Sequence, residues 1–334
     1  MSKYFSLIII AIFAIYLSAC KTEFNPNADY KDITVVYGLL NQSDTFTYIK
    51  INKAFLGNAS AYVMAQDEDL SSYGSDIEVK IEEYLNGGIS NVFYFDTTTV
   101  YNKETGVFYA PKQVLYRYHT LNLLKEGRDY KLTIRNKKSG KIINAQTALV
   151  GGFNIKTPAS WQNIIDFSTA GKSKVEWTSA SGGKRYQVNM RVNYYESLND
   201  TSHYQSKYLD MNLGTQKRAT FEGGMLMSME YINLTIYETL KNNLKWSTLQ
   251  APIYRKSGKV EYLISVATDD LSTYIDVNEP SNTIVQVRPE FTNISNGIGV
   301  FSARYNNAID NPRKIDMGSK SRTILQEQYP MLGF

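Results

Sequence analysis

Short segments of alternating apolar and polar residues recur along this chain, with turn-forming residues between them. Residues 77–82 (IEVKIE) are apolar at every second position, which is typical of a half-buried strand. Residues 33–40 and 46–51 flank the turn-forming residues 41–44, and this arrangement predicts a β-hairpin. Further strands are predicted at residues 92–95, 106–109, 130–135, 174–177, 186–192 and 260–267. Short strands at such intervals predict a mainly β fold built from sandwiches.

The strands divide into two predicted domains. Residues 32–151 are predicted to form an immunoglobulin-like or fibronectin-like β-sandwich, because the Gly127 turn leads directly into a strand that begins with Tyr130, as in immunoglobulin-like modules. This domain is predicted to end near Gly151, and residues 152–334 form the second, β-rich domain. Trp177, followed by another alternating strand, is typical of a fibronectin-type sandwich.

One or two helices are expected in the second domain. A helix is predicted near residues 224–245, where apolar side chains recur at spacings of three or four. These side chains are Met225, Met229, Ile232, Ile236 and Leu240. A second helical segment is predicted to open at Thr268, which precedes two aspartates in the manner of a helix cap.

Charge and cysteine content exclude several classes of function. The chain has 36 basic and 32 acidic residues, scattered among each other, for a net charge of +4. Nucleic-acid binding normally requires a concentrated basic face, so we exclude nucleic acid as a main partner. Cys20 is the only cysteine, which leaves no cysteine pair for a disulfide or a zinc–thiolate site.

The start of the sequence predicts a lipid anchor at Cys20. Lys3 precedes an uncharged run from residue 4 to residue 19, which ends in Leu-Ser-Ala immediately before Cys20. This is the pattern of a bacterial lipoprotein signal peptide (residues 1–19), followed by an acylated cysteine and a polar tether (residues 20–31). The run is shorter than the roughly 20 residues that a spanning helix needs. Two alternatives remain at this point: an ordinary cleaved signal peptide, or a short anchor helix, with Cys20 unmodified.

No catalytic, cofactor or metal residues are predicted. The chain has no Gly-x-Ser-x-Gly motif, and the Gly-Lys-Ser at residues 171–173 lacks the upstream glycine of a phosphate-binding loop. His119 and His203 are predicted to lie in different domains, and Glu82 and Glu83 on opposite faces of a strand. The acidic residues 67–69 could bind calcium or form a solvated loop, and the sequence leaves both open.

The late segment at residues 287–302 (VRPEFTNISNGIGVFS) is the most distinctive in the chain. Its Asn-Ile-x-Asn-Gly-x-Gly-x-Phe string, from Asn293 to Phe301, resembles a signature of Bacteroidota outer-membrane lipoproteins known as domain of unknown function forty-two forty-nine. The segments VVYGLLNQSDTFTYIKINKAF and LKEGRDYKLTI, and Cys20, also resemble that family. The resemblance implies a β-rich accessory protein found near TonB-dependent receptors, without assigned catalytic residues. The residues from Asn293 to Gly299 are themselves expected to have a structural role, as glycine and asparagine turns.

Together these observations predict a non-enzymatic protein, held in the outer membrane by lipid on Cys20, that binds a ligand or partner as accessory to a TonB-dependent transporter. The surface and periplasmic faces both remain open, because residues 21–23 lack the dense acidic run of a surface-export tag. Two alternatives are a structural or assembly factor of the cell envelope and a glycan or peptide hydrolase.

Overall fold

The computed structural model describes residues 32–55, 57, 59–279, 290–307 and 313–334. The fold is mainly β, with two short helices in one connection of its first half and longer helices in its second, and the predicted fold class is confirmed. The predicted signal peptide, Cys20 and the tether up to residue 31 lie outside the described residues. Among the residues that are described, no helix is long and apolar enough to cross a membrane.

The first half of the chain forms a sandwich of two sheets. Its strands are β1 (Thr34–Leu40), β2 (Phe46–Lys53), β3 (Ile77–Leu85), β4 (Gly88–Val100), β5 (Gln113–His119), β6 (Asp129–Asn136) and β7 (Ile142–Ala148). One sheet has the order β1-β2-β5-β4 and the other the order β4-β3-β6-β7. Strand β4 belongs to both, because its first part pairs with β3 and its last five residues pair with β5. This is the strand order of an immunoglobulin-like sandwich, as predicted.

Tyr130 fixes the corner between the two sheets of this sandwich. The residue is completely buried at the start of β6. Its hydroxyl accepts a hydrogen bond from the Lys125 backbone N–H at 2.7 Å and lies 3.0 Å from Glu83 Oε2, to which it donates. A tyrosine that bonds back to the preceding turn in this way is the tyrosine corner of immunoglobulin-like folds.

The second half of the chain forms another pair of sheets. Its strands are β8 (Ile155–Thr157), β9 (Ile164–Ile165), β10 (Lys172–Thr178), β11 (Arg185–Leu198), β12 (Gln205–Lys217), β13 (Leu226–Ile232), β14 (Ile253–Ala267), β15 (Gly297–Asn306) and β16 (Arg313–Met317). The sheet β13-β10-β8 faces a larger sheet in which β12, β11, β14, β16 and β9 are neighbours. Trp177 is fully buried between them, and its ring lies 6.0 Å from that of Tyr186.

The described helices are α1 (Ala61–Ala65), α2 (Glu68–Ser71), α3 (Asn233–Asn243), α4 (Asp269–Asn278) and α5 (Ser319–Gln328), followed by a 3-10 turn (Pro330–Leu332). Helix α4 follows Thr268, where a helical segment was predicted. The helix predicted near residues 224–245 begins only at Asn233, because β13 occupies the residues before it. Met227 and Tyr231 are buried on one face of this strand. Their spacing of four fits a strand period as well as a helix period, so the sequence pattern did not distinguish the two.

The strand predicted at residues 106–109 is also absent. These residues lie in the β4–β5 connection without a partner strand, and Val107 and Phe108 are exposed. Their β-branched and aromatic side chains produced a strand-like pattern, but side-chain type alone does not create a strand without a neighbour to pair with.

Strand β15 joins the two halves. Its first seven residues pair in parallel with the whole of β1, and its last three pair in antiparallel with the end of β14. Phe301 is completely buried in the apolar core of the first sandwich, which also includes Ile294 and Ala303, whereas the buried residues of the second core lie between Val150 and Leu332. Gly299 has φ +113°, and a Cβ there would lie 2.0 Å from the Val36 carbonyl oxygen. Only glycine allows β1 to approach this closely.

Candidate functional site

A groove of about 470 Å³ opens on the outer face of the first sandwich. Tyr37 of β1 and Lys50 of β2 stand opposite each other in the hydrogen-bonded register and form its floor. The strands alternate, so these side chains point outward while Val36 and Ile51 fill the core. The walls are the β2–β3 connection, which carries α1 and α2, and the β4–β5 connection.

The two walls are tied to each other and to the sheet by hydrogen bonds. The backbone N–H of Tyr109 donates to the Ala65 carbonyl at 3.0 Å, and Gln66 Nε2 donates to the Val107 carbonyl at 2.5 Å. Asn52, on β2, donates from Nδ2 to the Ser71 carbonyl at 3.1 Å. The groove is therefore a preformed concave surface, which is the usual property of a ligand site.

Four lysines line the groove, against one acidic side chain, Glu68. Lys112 Nζ lies 2.9 Å from Glu68 Oε2 and forms an ion pair with it. Lys103 Nζ donates to the Tyr109 carbonyl at 2.5 Å, and Lys53 Nζ lies 5.8 Å from the centre of the Tyr73 ring. Lys50 makes no hydrogen bond or ion pair with any residue that the structure describes. Within the described part of the chain, three positive charges of the groove therefore have no carboxylate to offset them.

Lys50 occupies an unfavourable electrostatic environment. Its pKa is lowered from 10.5, first by partial burial, which removes water from the ammonium group, and second by repulsion from Lys103. By contrast, the hydrogen bond that Lys112 donates to the Glu68 carboxylate raises the pKa of Lys112. An anion bound beside Lys50 would oppose both causes of its pKa shift, because it would supply hydrogen-bond acceptors and negative charge.

Aromatic side chains accompany the lysines. Tyr37, Phe55, Phe108 and Tyr109 line the groove together with the amides of Asn52 and Gln113. Such rings offer flat apolar area, and the amides and hydroxyls offer directional hydrogen bonds. The groove has the chemistry to hold an organic anion: a carboxylate, phosphate or sulfonate group on the lysines and a planar or apolar body against the rings.

A second depression, of about 350 Å³, lies between β14 and α5. Its buried cation, Arg255, is already paired, since Nε and Nη2 lie 2.8 and 2.6 Å from Glu196 Oε2. The same guanidinium also donates to the Leu332 carbonyl. Arg255 therefore holds the end of the described chain against β14, and its charge is not available to a ligand.

The acidic residues 67–69 lie beside the groove and form the start of α2. Asp67 caps this helix, because its Oδ1 accepts a hydrogen bond from the Asp69 N–H at 3.0 Å. Glu68 points into the groove and pairs with Lys112. Across the described ranges, no group of three or more histidine, cysteine or acidic side chains is placed to hold a metal ion.

The other residues singled out in the sequence lie away from the groove. His119 packs against the Phe46 ring at 5.1 Å, whereas His203 is exposed on a turn in the second sandwich, 3.8 Å from Asp200. Glu82 pairs with Lys80 at 2.7 Å, and Glu83 is held by Tyr130. The two histidines lie in different sandwiches, and the contacts of Glu82 and Glu83 are those of structural residues.

Asn293, from the distinctive late segment, has a structural role in the fold. Its Nδ2 donates to the Phe301 carbonyl at 2.7 Å, and its Oδ1 accepts from the Phe301 N–H at 3.0 Å. Nδ2 also lies 2.8 Å from Asp270 Oδ2, at the start of α4. The side chain thus replaces a missing strand beside β15, in agreement with the expectation of a structural segment.

The groove itself was not found from the sequence. Its lysines come from one strand and one connection, separated by up to 62 positions between Lys50 and Lys112, and no short motif connects them. The alternation of Tyr48, Lys50 and Asn52 between buried residues marks only an outward face of β2. Comparison of the chain with protein-family models gives no match, and a search of curated proteins gives none either.

Proposed function

We propose that this chain is a non-enzymatic binding protein, anchored in the outer membrane by lipid on Cys20, that holds an anionic organic ligand in the lysine groove as accessory to a TonB-dependent transporter. The observation that carries the binding role is Lys50, a partly buried ammonium group without a partner among the described residues, next to Lys103. Unfavourable charge in a preformed groove is a common property of binding sites, because the ligand supplies the missing partner.

The anchor rests on the sequence before residue 32. A basic start, an uncharged run and the Leu-Ser-Ala-Cys string support acylation of Cys20, and several acyl chains hold a protein firmly on a membrane. The Cys20→Ser variant is therefore expected to move from the membrane fraction to the soluble fraction. If this variant stays on membranes that have been stripped of other proteins, the anchor is wrong.

The groove can be tested with an aromatic sulfonate dye, 8-anilinonaphthalene-1-sulfonate, which combines a negative charge with flat rings. We expect saturable binding to the detergent-solubilised full chain, with affinity at least about tenfold lower in Lys50→Gln, because a charged hydrogen bond contributes about 1.5–3 kcal/mol. Lys245→Gln, which removes an exposed lysine from the α3–β14 connection, is the matched control and should bind like wild type.

Equal dye affinity in all three proteins would contradict the groove as an anion site. Inorganic phosphate is the second probe, since it lacks rings. Displacement of the dye by phosphate would show that negative charge contributes to binding without the rings. If phosphate does not displace the dye and Lys50→Gln still binds it, the dye binds elsewhere on the protein.

The transporter association is tested by gentle detergent purification of the tagged chain from its own host. Co-purification of a TonB-dependent receptor in near-equal amount is expected, because the sequence resembles lipoproteins found beside such receptors. Recovery with envelope-assembly proteins instead would favour the assembly factor, and recovery alone would remove the support for a transporter accessory.

A further inference from the structure

The first described residues lie at the same end of the sandwich as the groove. Tyr73 Oη lies 2.7 Å from Asp32 Oδ1, and Lys141 Nζ donates to the Asp32 carbonyl. The N–H of Ala54, a groove residue, donates to the Ile33 carbonyl at 2.9 Å. Asp32 is thus fixed beside the groove, on strand ends that also carry its two walls.

The distance from this point to the proposed anchor is short. Asp32 lies twelve positions after Cys20, and a fully extended chain over twelve steps spans at most roughly 43 Å. The end of the sandwich that carries the groove would therefore be the part of the described structure held nearest to the lipid surface.

Exposed apolar side chains project from this same end. Tyr62 and Val63 of α1 share a shallow depression with Val107, and Tyr62 is 72% exposed. Phe108 and Tyr101, on the β4–β5 connection, are also largely exposed. We call Tyr62, Val63, Val107 and Phe108 the apolar tip.

We propose that the apolar tip inserts into the headgroup region of the membrane that holds the lipid anchor. The inference rests on the proposed function, because the anchor on Cys20 supplies the proximity. Tyrosine, phenylalanine and valine suit the boundary between headgroups and acyl chains. Attachment at Cys20 keeps the tip at a high effective concentration near the membrane. A tip too weak to bind membranes by itself would therefore be inserted most of the time. The groove would then open close to the membrane plane.

Charge does not drive this contact. Asp67 and Asp69 lie at the start of α2, close to the tip. Two groove lysines also approach the tip: Lys112 lines the same depression as Val63, and Lys103 Nζ lies 5.8 Å from the centre of the Phe108 ring. The tip is carried by two connections, residues 54–76 and 101–112. Their described residues include more acidic than basic side chains. Insertion through apolar side chains should accordingly be insensitive to salt and should not require anionic lipid.

The experiment uses the full acylated chain in phosphatidylcholine vesicles, with an environment-sensitive dye on Val63→Cys. Acylation leaves no free thiol at Cys20, so the dye reports from one position. Quenchers in the headgroup region should reduce its emission at least about twofold, with the same result in about 0.5 M salt. The control dye on Leu249→Cys, at a side chain 97% exposed in the second sandwich, should not be quenched. Adding Phe108→Ser should weaken the quenching at Val63→Cys.

Three results would overturn the proposal, and each is distinguishable. An acylated chain bound to vesicles without quenching at Val63→Cys overturns the membrane contact alone. Quenching that needs native membranes with their proteins, and is absent in pure lipid, assigns the tip to a protein partner instead. A chain whose mass shows no acyl groups overturns the anchor and the contact together.

Discussion

Replacing Lys50 with Met should make the protein more stable and a poorer binder. Lys50 is a partly buried ammonium group that repulsion from Lys103 makes less favourable, and it has no counter-charge among the described residues. Methionine keeps the length of the side chain and its apolar stem but removes the charge. A residue that weakens the fold and strengthens ligand binding is the expected mark of a functional site.

The size of the effect follows from the exposure of Lys50. Because the group is only half buried, solvent screens most of the repulsion, and interactions of this kind contribute roughly 0.2–1 kcal/mol. We therefore expect Lys50→Met to raise the free energy of unfolding by about 0.5–1 kcal/mol at pH 7. Loss of the ammonium group should reduce affinity for an organic anion by at least about tenfold.

The stability gain should depend on pH in one direction. The pKa of Lys50 is lower in the folded protein than its ordinary value of 10.5, so the penalty is fully present below the folded-state pKa. As the pH rises through the folded-state pKa towards 10.5, the folded protein releases this proton first and wild type gains stability relative to the variant. The difference between Lys50→Met and wild type should shrink over that window.

The assay is urea unfolding of both proteins at pH 7 and near pH 10, followed by intrinsic fluorescence. Lys112→Met is the matched control, because it changes the same residue type in the same groove but breaks the ion pair with Glu68. No gain in stability is expected from that variant. The reasoning is refuted if Lys50→Met is less stable than wild type, or if both variants change stability alike.

Two further substitutions test the fold that positions the groove. Tyr130→Phe should lower the free energy of unfolding by about 1–3 kcal/mol, since it removes a hydrogen bond to buried Glu83, and an unchanged urea midpoint would contradict the tyrosine corner. Gly299→Ala should cost at least about 2 kcal/mol, because its Cβ meets the Val36 carbonyl oxygen at a positive φ. Gly140→Ala is the control with positive φ but open space, and its smaller loss in a thermal melt should separate contact from backbone strain.

Local patterns in the sequence were sufficient to predict the hairpin of β1 and β2, the turn before Tyr130 and the mainly β fold. These features depend on residues close in the chain, where alternation and turn chemistry act directly. The helix boundary was predicted less well, because the methionines around β13 satisfy a strand period and a helix period at once. The change from strand to helix at Asn233 is decided by tertiary packing, which no local pattern encodes.

The parallel pairing of β1 with β15 could not be predicted from the sequence. It joins residues more than 260 positions apart, from Thr34 with Gly297 to Leu40 with Ala303. The groove was beyond prediction for the same reason, because Lys50 and Lys112 meet only after β2, β4 and β5 have paired. The sequence shows a glycine at position 299, but it does not show that the Val36 carbonyl lies against it.

The central claim is that the lysine groove of the anchored protein carries an organic anion. Native mass spectrometry of the tagged chain, extracted from its host membranes, tests it most directly. The account predicts a small anionic molecule bound to wild type and to Lys245→Gln, and its loss from a variant that combines Lys50→Gln with Lys103→Gln. A bound mass that is the same in all three proteins, or wild type that carries no such molecule, would contradict it.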